Sequence, residues 1–293
     1  MAEKGGVLAG WLPLSEIHSP VFGRLLASSG FAVGGGILAD EATARDLGRA
    51  AEELAARLSC PAIELRGGPA PRGWLLRDDT HCGFAAPLAA DDEAQLLAIP
   101  RKQRAEVRKG LAHDLEVSVG SAASDRAAHY AVYAESVRNL GTPVFPRALF
   151  EAVLDALDSD ILTVRHRGEP VASVLTLYHA GGALPYWGGG TAKARTLRAN
   201  DRMYFELMRH ARARGCTMFD FGRSKTGSGA YDFKRNWGFE PTPLPYSTWT
   251  ATGAAPRDAD PRSDKHSARI ALWKRLPLPL ANRLGPPIAR GLG

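Results

Sequence analysis

The stretch FDFGRSKTGSGAYDFKRNWGFEPTPLPY, residues 219–246, combines four glycines, a run of cationic and aromatic side chains, and a proline-rich exit. A turn needs one or two glycines, and a core strand needs no lysine. Its pattern predicts a strand, a glycine loop, a short helix around residues 231–236 and a final strand. Gly227 and Gly229 flank Ser228 in a loop of the kind that can present backbone amides to an anion. Arg223, Ser224 and Lys225 add side-chain donors. A plain strand-to-helix turn explains the glycines equally well, because a GxG triplet alone decides little. Tyr231, Phe233 and Trp237 do not share one helical face; Phe233 and Trp237 are expected to pack inward, and Tyr231 to reach the site.

Working outward, DRMYFELMRHARARG reads as a helix with Asn200 as its cap and Gly215 as its stop. Before it lie DILTVRHR, PVASVLTLYHA and ALPYWGG, three strands joined by tight turns into an antiparallel meander. Two helices precede these, one capped by Ser124 or Asp125 and the other ALFEAVLDAL, separated by RNLGTPVFP. The order from residue 125 onward is helix, helix, three strands, helix, strand, helix, strand, which is an α+β arrangement. Further upstream, ATARDLGRAAEELAARLS reads as a helix, with AIELR and HCGFAAPL as strands, and PRKQRAEVRKGL as a basic helix. Residues 253–264 read as a linker. The tail IALWKRLPLPLANRLGPPIARGLG is basic and apolar, and its prolines are expected to shorten any helix.

The chain has 293 residues, 45% apolar and 23% charged, which is enough to bury a core. Its net charge of +6 favours anionic partners. Cys60, Cys82 and Cys216 are too few and too widely spaced for a disulfide framework or a zinc site, so a reducing cytoplasm is expected. The eight histidines form no ligand cluster, and no metal is expected. No apolar run reaches the ~18 residues of a membrane-spanning helix, and the N-terminus has no signal-peptide pattern.

The element order, ending in FKRNWGFE, resembles the acyltransferase fold of the GNAT superfamily, whose last helix carries a pattern near FYxxxGF. Phe233, Lys234, Arg235, Asn236, Trp237, Gly238 and Phe239 occupy that spacing. Lys234 therefore stands where many GNAT enzymes carry a tyrosine that protonates the leaving thiolate. The FemAB family, built from two GNAT-like halves, is a closer match, because Gly229, Tyr231, Phe233 and Lys234 fit its Gly-x-Tyr-x-Phe-Lys segment. FGRSKTGSGAYDFKRNWGFEP, RNLGTP and LPLPLANRLGP further resemble the FemAB-like proteins associated with exosortase and PEP-CTERM gene clusters.

The resemblance implies an α+β, GNAT-like acyltransferase fold of two half-domains with the first one shortened. The expected division is 1–99 for the first half, 100–250 for the second, and 251–293 for a linker and basic tail. The shortened first half follows from a VLPL-like strand within the first fifteen residues, so either translation starts elsewhere or the lobe is reduced.

The implied chemistry is transfer of an activated acyl or aminoacyl group to an amine or hydroxyl of a cell-envelope or exopolysaccharide precursor. Lys234 and Tyr231 are the catalytic candidates. A preplaced cation stabilises a tetrahedral oxyanion by about 3–4 kcal/mol or protonates the leaving group, and a buried lysine is the better acid. Arg223, Ser224, Lys225, Gly227 and Gly229 would bind substrate. So would Arg138, Asn139 and Thr142 at the junction of the first two helices, and Tyr186 and Trp187 at the end of the third meander strand. Helix capping and core packing are the competing readings of these last two groups. Candidate bases, by region only, are His179, Glu206 and Asp220.

Acyl-CoA or aminoacyl-tRNA is the expected donor, and a glycan or lipid-linked precursor the acceptor. Arg101, Arg104 and Arg108 share a helical face that suits tRNA or nucleotide phosphates, or simply water. The tail, with Trp273, Lys274 and Arg275, suits peripheral contact with the inner face of a membrane. One feature weighs against CoA. Where GNAT enzymes carry a glycine-rich pyrophosphate loop, this chain reads RTLRAND, and Asp201 repels a pyrophosphate. The competing functions are a CoA-dependent N-acetyltransferase and a non-catalytic glycan- or RNA-binding protein on the same scaffold.

Overall fold

The computed structural model describes residues 1–19, 23–254 and 264–291. The chain divides into two compact units. One comprises residues 1–82, 243–263 and 287–293, the other residues 83–242 and 264–286. Residues 83–99, expected in the first half, and 243–250, expected in the second, fall on the other side of this division. The reason for the latter is the strand Tyr246–Thr250, which pairs antiparallel with Ala62–Arg66 over its full length.

In the first unit, five strands form a sheet in the order Leu14–Ser19, Gly23–Ser28, Ala62–Arg66, Tyr246–Thr250, Leu75–Arg77. Gly23–Ser28 and Ala62–Arg66 run parallel, so the chain must cross over between them, and helix Glu41–Arg57 makes the crossing. Asp40 caps that helix by accepting from the Thr43 amide at 2.7 Å. Ala44, Leu47, Ala51 and Ala55 bury one face of it over Leu26, Ile63 and Leu65. The strand at 23–28 and the short strand at 75–77 are additions to the sequence reading.

The second unit is built on a sheet that runs His81–Pro87, Met218–Lys225, Gly182–Gly190, Glu169–His179, Ser159–His166, Glu116–Gly120. The central three strands form the expected antiparallel meander. Residues 171–176 are buried without alternation, so both faces of the middle strand are covered. Burial forces its polar groups to pair: Ser173 Oγ meets His129 Nδ1 at 3.0 Å and Thr163 Oγ1 at 3.2 Å. Burial also drives the His129 pKa down to about 3, so that imidazole is neutral.

Two local expectations are corrected. Helix Ala199–Ala213 is capped not by Asn200 but by Arg198, in the left-handed region at φ 51°; Asn200 lies within the first turn. Helix Ala123–Leu140 begins at Ala122, whose amide donates to Asp125 Oδ2 at 3.1 Å, so Asp125 closes the helix start from inside. The tail is helical in two short pieces, Asp264–Arg275 and Leu278–Ala289, broken at Leu276 and Pro277, in keeping with the expectation that its prolines shorten any helix. Pro277 and Pro279 flank the start of the second, where a backbone N–H has no intrahelical acceptor anyway. Helix Asp92–Ala98 was not foreseen. Residues 255–263 of the expected linker lie outside the described residues.

Candidate active site

The parallel strands Gly182–Gly190 and Met218–Lys225 pair only at Gly182 with Met218 and Ala183 with Phe219. Beyond those pairs they share no ladder, which leaves a wedge between the arms. The sequence supplies a cause. Across the meander Leu175 pairs with Trp187 and Thr176 with Pro185, so Tyr186 is an extra residue and the strand bends at that bulge. Tyr204 rises from helix Ala199–Ala213 against the first arm. A Cβ on Gly188 would stand 2.9 Å from its hydroxyl, so glycine is what lets the phenol approach. Its ring joins Phe221 of strand Met218–Lys225, Phe233 of the helix that follows and Trp237 at that helix's C-cap. Burial raises the Tyr204 pKa to about 12, which keeps the phenol protonated.

The second arm leads through the glycine loop into helix Gly229–Asn236. Ser228 caps this helix, its Oγ accepting from the Tyr231 amide at 3.2 Å. Lys234, one turn further on, is buried. Its ammonium donates to the carbonyl oxygens of Arg223 at 2.8 Å and Gly222 at 3.2 Å, and lies 5.4 Å from the centre of the Phe84 ring. Two of three ammonium protons are thus committed to backbone, and the third has no such acceptor among the described residues. Desolvation is the main cause that lowers the Lys234 pKa to about 8; Asp220 opposes the shift and Arg223 adds to it. Tyr231 is half-buried and meets the same Phe84 ring edge-on at 5.4 Å, so the two catalytic candidates share one apolar wall. Phe84 escaped sequence reading because HCGFAAPL announces a strand but not which strand it will adjoin.

The other candidates are distributed as follows. Ser224 is buried and its Oγ has no hydrogen-bond partner among the described residues. Arg223 and Lys225 are half-buried, and Gly227 and Gly229 are exposed. Trp187 is a core residue, packed edge-on against Phe150 at 5.0 Å and beside Tyr186. Arg138, Asn139 and Thr142 form a helix terminus. Gly141 takes the left-handed cap at φ 87°, the Thr142 amide donates to Val137 O at 2.8 Å, and Arg138 donates to the Lys274 carbonyl at 3.2 Å. The capping reading of RNLGTP therefore holds locally, and Arg138 is engaged with the tail. Among the candidate bases, Glu206 is ion-paired with Arg202 and Arg209, both at 2.9 Å, and His179 is exposed at a strand end. Asp220 is the one whose charge acts on Lys234, while its Oδ1 accepts from the Gly222 amide at 2.7 Å. In the basic helix, Arg104 donates to the Ile99 and Leu97 carbonyls, whereas Arg101 and Arg108 are exposed.

The start of helix Ala199–Ala213 does not fit a pyrophosphate. Helix Arg101–Ala112 lies against it so closely that a Cβ on Gly110 would stand 2.8 Å from Arg198 O. Gln103 donates to Asp201 at 2.6 Å, and burial raises the Asp201 pKa. A carboxylate and a neighbouring helix take the place where amides would face phosphate oxygens. Among the described residues no group of three or more His, Cys, Asp or Glu could hold a metal, and no helix is long and apolar enough to cross a membrane.

A family model described as Acetyltransferase (GNAT) domain matches residues 101–235, ending one residue past Lys234. No curated protein matches the chain. The crystal structure of FemX is similar with 15% identity and a TM-score of 0.61, over 84% of this chain and 86% of that one. The C-terminal domain of a candidate lysylphosphatidylglycerol synthetase from Agrobacterium fabrum is similar with 14% identity and a TM-score of 0.60, over 85% and 82%. A tandem GNAT protein from the clavulanic acid biosynthesis pathway shows 12% identity and a TM-score of 0.55, over 86% and 82%. Likeness at these identities is one of fold: the chain has an α+β, GNAT-like architecture.

Proposed function

We propose that this protein is a FemAB-like acyltransferase that moves an activated acyl or aminoacyl group onto an amine or hydroxyl of a cell-envelope precursor, with an exosortase-associated exopolysaccharide pathway as its setting. The observation that carries the reading is Lys234: a buried ammonium held by two carbonyls where the last strand of a GNAT-like wedge turns into its final helix. One similar fold belongs to a candidate synthetase whose named product is an aminoacylated phospholipid, which supports a lipid-linked or cell-wall acceptor.

In this reading the acceptor nitrogen or oxygen adds to the donor carbonyl carbon, and the carbonyl electrons move to oxygen. The third N–H of Lys234 stabilises that oxyanion, or passes its proton to the leaving oxygen as the carbon–oxygen bond breaks. The acceptor's own proton then leaves to solvent, and neutral Lys234 regains one. Tyr231 lines the same apolar wall as Lys234, with the loop donors Arg223, Ser224, Lys225, Gly227 and Gly229 on the approach. An ester donor such as aminoacyl-tRNA suits the crowded start of helix Ala199–Ala213 better than CoA does.

The test presents purified protein with acetyl-CoA or charged tRNA and a panel of amino sugars, and follows the acceptors by mass spectrometry. Acylated acceptor supports transfer; unmodified acceptor with every donor overturns it. The acetyltransferase family match favours a second reading, a CoA-dependent N-acetyltransferase. Thermal stabilisation by CoA would favour that reading, and the Asp201 contacts predict none.

The pH profile follows from the sign of the Lys234 shift. The group acts as an acid or a cation, so the active form is the protonated one, present below its pKa and lost above it. Turnover is expected to fall as pH rises through about 8. Lys234→Arg, whose cation does not titrate below about pH 12, should abolish that alkaline limb while retaining part of the rate. Turnover that rises through pH 8 would instead make Lys234 a base.

A further inference from the structure

We infer that the C-terminal helix pair is a docking surface for an anionic lipid bilayer. Residues 265–293 hold six of the 37 cationic side chains (Lys265, Arg269, Lys274, Arg275, Arg283 and Arg290) and none of the 31 acidic ones. The first 264 residues therefore carry 31 of each sign and are electrically balanced, so the entire net charge of +6 resides in this terminal stretch.

The structure also orients the leucines. Helix Asp264–Arg275 turns Ile270 and Lys274 against Gly141, whose missing Cβ would stand 2.5 Å from Ile270 Cγ2. Leu272, on the opposite side of that helix, is 65% exposed. Helix Leu278–Ala289 buries Ala281 and sets Gly285 against Val144, where a Cβ would lie 2.9 Å from the Val144 amide. Leu280 and Leu284, one turn apart on its outer flank, are 44% and 41% exposed, with Arg283 exposed beside them. Leu140, at the end of the helix that Gly141 caps, is 69% exposed.

The first helix thus turns Ile270 and Lys274 toward Gly141 and the second buries Ala281 and Gly285, while both hold exposed leucines with exposed arginines beside them. A folded protein gains nothing by leaving four leucines in water, and arginine and lysine at their margins disfavour an apolar protein partner. Acyl chains take the leucines and anionic headgroups take the cations, the arrangement of a helix lying in the membrane interface. The inference stands on the tail and is independent of the acyltransfer reading.

The test is co-sedimentation of the full-length protein with vesicles of phosphatidylcholine alone or with about a third phosphatidylglycerol. Expected is partitioning onto the anionic vesicles at least about tenfold above the neutral ones, weakened by high salt. Leu280→Asp with Leu284→Asp should cost about tenfold, and so should Arg275→Glu with Arg283→Glu, with melting temperatures unchanged because these side chains are exposed. Wild-type protein that stays in the supernatant overturns the inference. Leucine variants that bind like wild type would reduce it to bulk charge attraction, and a dimer in solution that those variants dissociate would assign the face to a second copy of the chain; either result also overturns it.

Discussion

Lys234→Met is expected to lower acyl-transfer turnover about 100-fold while the protein stays folded. The magnitude follows from the role. A single preplaced donor to an oxyanion is worth about 3–4 kcal/mol, and about 1.4 kcal/mol is tenfold in rate. Folding survives because the lysine is costly where it stands. Its pKa is depressed to about 8 from 10.5, so the folded state disfavours the charged form and carries that cost at every pH below about 8. As pH rises from about 8 to 10.5, the folded state sheds its proton while the unfolded chain retains one, and wild type gains stability relative to the methionine variant. Methionine fills the aliphatic volume but forfeits the two carbonyl contacts, so the two effects offset. The measurements are single-turnover transfer and thermal melting across that pH range. Unchanged turnover in a folded variant removes Lys234 from the chemistry. A variant that fails to fold would show the ammonium to be a structural clamp on residues 222–223.

How far residues 219–246 could be read shows what sequence can carry. Gly227, Ser228 and Tyr231 to Asn236 signal strand, loop and helix because turn chemistry and capping are local. The three meander strands are equally legible, since a two-residue turn fixes both register and direction. Long-range partners were not legible. Phe84 contacts Lys234 across about 150 residues of chain, and the strand Tyr246–Thr250 pairs with Ala62–Arg66, a contact that no local pattern encodes. The RNLGTP element was ambiguous for the same reason. A helix cap and a binding loop use the same glycine, and the structure shows Gly141 in the left-handed cap position with Arg138 donating to the Lys274 carbonyl. The packing of Trp187 against Phe150 was not legible either, because a strand near a site and a strand near a helix have the same alternation.

In the glycine run at residues 34–36 the third glycine meets backbone: Gly36→Ala is expected to destabilise the first unit by about 3 kcal/mol or more. A Cβ at Gly36 would stand 1.7 Å from the Gly67 carbonyl oxygen and 2.5 Å from its carbon, so two backbones cross with no side chain between them. Neither can yield cheaply. The Gly36 amide donates to Arg66 O at 3.0 Å, the Gly67 amide to Pro245 O at 2.8 Å, and the Arg66 amide to buried Ser28 Oγ at 2.9 Å. Moving either segment by the ångström or more that a methyl requires breaks bonds that bind the parallel strands Gly23–Ser28 and Ala62–Arg66 to the late strand Tyr246–Thr250. At ~2–4 °C per kcal/mol the melting temperature should fall by about 10 °C, with loss of soluble protein if the unit is marginal. Gly229→Ala is the matched control, because its Cβ meets nothing within 4 Å and alanine suits a helix start. Its melting temperature should equal wild type or slightly exceed it. If Gly36→Ala melts like Gly229→Ala, the crossing is looser than 1.7 Å implies, and the conformation of residues 34–36 is set by something other than the close approach of residue 67.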